Sequence, residues 1–98
     1  AWRIGRGAWN ALMDHRADPE MLAAIERTAR AFPGIEGLHD LRSRMAGGHA
    51  FVDFHVEIDG DLPLAEAHEI AARLKRELLA THPQVDILIH MDPAQRDR

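Results

Sequence analysis

The chain has 98 residues, with 12 Lys and Arg against 16 Asp and Glu, so its net charge of −4 offers no basic field for nucleic acid. That length carries one domain with one core, and 46% hydrophobic with 29% charged residues is the balance of a chain that folds. With no cysteine, disulfides, thiolate metal sites and thiol catalysis are excluded, and without a run of about 18 apolar residues nothing here spans a bilayer.

Residues 1–17 hold two tryptophans, three arginines and two glycines with no sustained period, and read as a connector. Trp2 and Trp9 beside Arg3 and Arg6 suit either a membrane–water boundary or a lead-in whose rings dock on the core. No signal-peptide pattern is present, so the chain as given is expected to be soluble. Asp18-Pro19-Glu20 is a helix start, and Met21, Leu22, Ile25, Ala29 and Phe32 predict an amphipathic helix over 19–32 that stops at Pro33-Gly34. The period then changes to two over 35–45 and 50–58, joined by Gly47-Gly48, a hairpin signal.

In the second strand Ala50, Val52, Phe54, Val56 and Ile58 share one face, which leaves Phe51, Asp53, His55 and Glu57 on a polar face opposite. Leu62-Pro63 opens a second helix with Leu64, Ala67, Ile70, Ala71, Leu74 and Leu78 inward, ending near His82-Pro83. The third strand, 85–91, turns Val85, Ile87 and Ile89 inward and Asp86, Leu88 and His90 outward, with Asp92 continuing the side of His90. The order helix, strand, strand, helix, strand predicts an open ferredoxin-like, metallochaperone-like α+β sandwich with both helices on one face of a three-stranded sheet. Residues 18–94 form this domain and 95–98 a tail.

Seven histidines are the compositional oddity. His55, His90 and Asp92 project from the uncovered sheet face, and imidazole with carboxylate suits Zn²⁺. His39 depends on the hairpin register. A two-residue loop sets Asp40 against His55 and Arg42 against Asp53 and turns His39 to the other face. A three-residue loop sets His39 against His55 but drives Arg42 and Arg44 toward the core. Patterning favours the first, so His39 can join the others only through a bulge or a strand-end bend. His68 lies at the flank of the second helix's apolar stripe. His15 with Asp14 reads as solvated or as a linker-level site, and His49 and His82 read as turn residues, His49 being at most an adventitious extra ligand.

Enzymatic readings find little. Thr28, Ser43 and Thr81 have no elbow motif around them, Glu57, Asp61 and Glu66 sit where ordinary surface charges do, and no glycine-rich loop joins a strand to a helix.

Four runs, taken in order, resemble the C-terminal domain of cation diffusion facilitators, and within that family the bacterial zinc and iron efflux branch. They are PGIEGLHDLRSR from Pro33, Phe51-Val52-Asp53-Phe54-His55, the segment from Leu62-Pro63 to Ala67-His68, and Ile89-His90-Met91-Asp92-Pro93. Leu12-Met13-Asp14 looks like the family's segment just after the last transmembrane helix, and the likeness covers 12–94. The resemblance implies a regulatory domain on the cytoplasmic side of the bacterial inner membrane that pairs with its copy as a homodimer. It also implies that a transmembrane part belongs to the same full-length chain. It implies a metal site at His39, His55, His68, His90 and Asp92, with His68 near or across the subunit boundary. The expected ion is Zn²⁺, ahead of Fe²⁺, Co²⁺, Cd²⁺, Mn²⁺ and Ni²⁺. A stand-alone metallochaperone and a purely structural dimerisation module are the other readings.

Overall fold

The computed structural model describes residues 18–94; the connector 1–17, with Trp2, Trp9 and His15, and the tail 95–98 lie outside the described residues. Its elements are α1 (Pro19–Ala31), β1 (Gly37–Ala46), β2 (His49–Ile58), α2 (Leu64–Thr81) and β3 (Val85–Pro93), the expected order.

Asp18 caps α1, its carboxylate accepting from the Glu20 amide at 3.1 Å, with Pro19 in the first turn, where a missing N–H costs nothing. The helix ends one residue before the expected 32, because Phe32 precedes Pro33 and adopts an extended backbone, φ −72° and ψ 135°. α2 starts at Leu64, not at 62. Asp59 accepts from the Asp61 amide at 2.9 Å and its carbonyl from the Leu62 amide at 3.2 Å, so the chain is still turning there.

The sheet order is β1-β2-β3, antiparallel between β1 and β2 and parallel between β2 and β3. A parallel neighbour needs a crossover, which α2 supplies. Gly47 and Gly48 have φ of 59° and 78° and make a two-residue turn between the paired Ala46 and His49, as left-handed backbone at both positions requires. The core joins Ile25 and Ala29 of α1, Leu74 and Leu78 of α2, Val85 and Ile87 of β3 and the inward row of β2. Phe54 at its centre is fully buried. Both helices therefore cover one sheet face, and the other carries Phe51, Asp53, His55, Glu57 and the exposed Leu88.

β1 keeps the first hairpin register only partway. Arg42 pairs with Asp53, but His39 pairs with His55, so Asp40 and Leu41 together span Phe54 in a β-bulge, Asp40 taking a left-handed φ of 58°. The sequence forces this change of phase. Leu38 and Arg42 are four apart and would share a face in a regular strand, yet Leu38 is buried and Arg42 exposed. One inserted residue satisfies both, and it turns His39 outward.

Candidate metal centre

Because β2 is central and its neighbours are in register at the same residue, His39, His55 and His90 form one row across all three strands. Neighbouring strands lie about 4.8 Å apart, close to the spacing of stacked rings. The imidazoles of His39 and His55 stack with centroids 5.1 Å apart, and those of His55 and His90 at 4.5 Å, each pair 18° from coplanar.

Asp92, two residues beyond His90, turns its carboxylate back over the row. Its Oδ2 is 3.0 Å from His55 Nδ1 and 3.3 Å from His39 Nε2. Ligand atoms of His39, His55 and Asp92 thus fall within 4.8 Å of one another, an arrangement that could hold a cation, and none of the three is buried. The donors are two imidazoles and a carboxylate with a third imidazole alongside, a borderline set that suits Zn²⁺, Co²⁺ or Ni²⁺ better than the all-oxygen cages of Mg²⁺ or Ca²⁺. Half-exposed rings leave room for a water or a further ligand.

Of the five residues expected at the site, four share the bare sheet face: His39, His55 and Asp92 bring their ligand atoms together, and His90 joins through its ring stacked on His55. The fifth, His68, is exposed on α2 in the opposite layer. The preceding Ala67 lines a surface depression with Leu62, Leu64, Met91 and Asp92, so the start of α2 borders the strand end that carries Asp92.

His49 pairs with Asp86 at 3.2 Å beside the hairpin tip. Six residues along β2 from His55, it is about 20 Å away and cannot join the row. Sequence reasoning passed over Glu57, whose Oε2 is 3.3 Å from His39 Nδ1. The signal was available: Glu57 is two positions after His55 and so on its face.

An open α-β-β-α-β sandwich with this row on its uncovered face defines a metallochaperone-like domain. Residues 17–94 match the family described as cation efflux protein, cytoplasmic domain, and the chain belongs to it. It is similar to the cation-efflux pump FieF of Pectobacterium atrosepticum, 43% identical over 93 residues, and to that of Cronobacter sakazakii, 38% identical over 93 residues. Both alignments cover 95% of this chain but 31% of the pump, so the chain spans about a third of the length of these curated relatives. Among solved structures, the zinc form of the transporter CzrB matches with a TM-score of 0.70 and 33% identity, covering 88% of this chain and 100% of that one. The metal-bound C-terminal domain of the CzcD transporter from Thermotoga maritima matches at 0.71 and 26% identity, covering 81% and 93%. The family is one of efflux proteins, not of enzymes, and no helix among the described residues is long and apolar enough to cross a membrane.

Proposed function

We propose that this domain binds a divalent cation, Zn²⁺ by its donor chemistry, and regulates an efflux transporter of which it is the cytoplasmic part. His39, His55, His90 and Asp92 are the ligands, and His68 completes or bridges the site from the neighbourhood of a second copy. The observation that carries the reading is the single carboxylate oxygen of Asp92 set against nitrogens of both His39 and His55 at one end of a three-imidazole row. The zinc form of CzrB and the metal-bound CzcD domain, alike in fold and at least a quarter identical, support it.

The ligands of each copy are in reach of solvent, so a cation held there can take a further ligand such as His68 from a second copy, and occupancy is thereby coupled to the pairing of two domains. A cation shifts an open–closed equilibrium only by its differential affinity, and a 100-fold preference for the closed pair supplies about 2.7 kcal/mol. That is sufficient for a sensor. The role is one of binding, without catalysis. The transmembrane part that would move the cargo belongs to the rest of such a chain, and the same site in a stand-alone chain would serve as a metallochaperone.

The test is calorimetric titration of the metal-free chain with ZnCl₂, paired with sedimentation. The wild type should take up zinc and tighten as a dimer. Asp92→Ala, and His55→Ala combined with His90→Ala, should lose more than the roughly 10- to 100-fold typical of residues that merely support a ligand. Unchanged stoichiometry in these variants would defeat the assignment, and a dimer indifferent to zinc would leave only the structural role.

A further inference from the structure

The ring of His39 meets a different carboxylate at each nitrogen. Nε2 lies 3.3 Å from Asp92 Oδ2, and Nδ1 lies 3.3 Å from Glu57 Oε2. A neutral imidazole that gives one nitrogen to a cation carries its proton on the other, and an acceptor there decides which nitrogen is free and how the ring is aimed.

Glu57 is built into that position. Its backbone pairs with Gly37 of β1, and its carbonyl accepts from the Glu36 amide at 2.7 Å, which fixes where its side chain departs. From there the side chain crosses β1 over Gly37. A Cβ at residue 37 would come within 2.8 Å of Glu57 Oε1 and 3.2 Å of its Cδ, so the glycine leaves the space through which the carboxylate reaches His39. The Glu57 side chain is only 28% exposed, less than the His39 ring at 42%, and a partly shielded acceptor holds its partner more firmly than one in open water.

We propose that Glu57 is a positioning residue of the site: its carboxylate accepts from the Nδ1–H of His39 and so presents Nε2 to the cation shared with His55 and Asp92. Gly37 is part of the same device, because it gives Glu57 its path. The inference rests on the metal-site reading above and assigns Glu57 a role distinct from ligation.

The experiment uses the 98-residue chain. Long-range ¹H–¹⁵N correlation spectra of the metal-free protein, at a pH where the imidazoles are neutral, report the His39 tautomer directly, and ZnCl₂ titration reports affinity. Wild type should show His39 protonated at Nδ1, because Asp92 Oδ2 at its other nitrogen is already engaged with His55 Nδ1 at 3.0 Å. Glu57→Leu, which has no acceptor, and Gly37→Ala should both lose that bias and weaken zinc by about 10- to 100-fold, with the melting temperature of Glu57→Leu close to that of wild type. A His39 tautomer in Glu57→Leu identical to wild type, or an unchanged zinc affinity, overturns the role even if Gly37→Ala fails to fold. The control is His55→Ala. If it loses zinc while Glu57→Leu changes nothing, the site stands and only the positioning role falls. If His55→Ala binds zinc as wild type does, the site falls and this role with it.

Discussion

Asp40 is where β1 changes phase, and its substitution tests the account of how His39 reaches the open face. The residue sits at φ 58°, where a Cβ crowds the following carbonyl and costs roughly 1–2 kcal/mol. Aspartate tolerates this conformation better than most residues because its short carboxylate bonds locally. Valine has no such relief. The strand cannot escape by slipping into a regular register, since that would pull the buried Leu38 out of the core, at about 1.5–3 kcal/mol, and turn His39 into it. Asp40→Val should therefore keep the bulge and destabilise the metal-free chain by about 1–2 kcal/mol, read as a lower midpoint in urea with an unchanged slope. Asp40→Gly should be no less stable than wild type and bind zinc equally well, because glycine adopts this backbone freely. A valine variant as stable as wild type would show that the phase change is not held at Asp40.

Phe54→Ala removes a fully buried ring from the centre of the sheet and should cost about 3–5 kcal/mol in chemical denaturation. Asp18→Ala removes the cap on the Glu20 amide and should cost about 0.5–2 kcal/mol without altering zinc affinity, since α1 lies on the covered face. Deleting Asp40 takes out the extra residue while leaving Arg42 opposite Asp53 and His39 opposite His55, so titration of the deletion variant should still detect zinc binding. Ligating imidazoles must be neutral, so protons compete with the cation: zinc affinity should fall as the solution is acidified, and calorimetry in buffers of different ionisation heat should record proton release on binding.

Much of this was legible in local patterns. The five-residue inward row of β2 and the Asp18-Pro19 start of α1 stand where their periodicity and capping chemistry put them, because burial and orphan amides act over a few residues. His55, His90 and Asp92 share a face for the same reason: alternation alone fixes it once the strands are recognised. His39 was different. Its side depends on one residue inserted between Leu38 and Arg42, and two rigid registers were both unsatisfactory because each kept a single phase through the strand. The equal parity of Leu38 and Arg42, apolar and charged, was the mark of the bulge. Alternation puts Glu57 on the face of His55, but its approach to His39 was not legible, since that depends on the space above Gly37. His68 belongs to a layer that the single chain does not bring to the row.

The central claim is that a cation sits among His39, His55, His90 and Asp92, and its most direct test is a crystal structure of the chain grown with zinc, with data collected on both sides of the zinc absorption edge. The account predicts an anomalous peak within about 2.0–2.2 Å of Asp92 and of at least two of these imidazoles. Zinc bound elsewhere on the domain, with the row still held together by Asp92 alone, would contradict it.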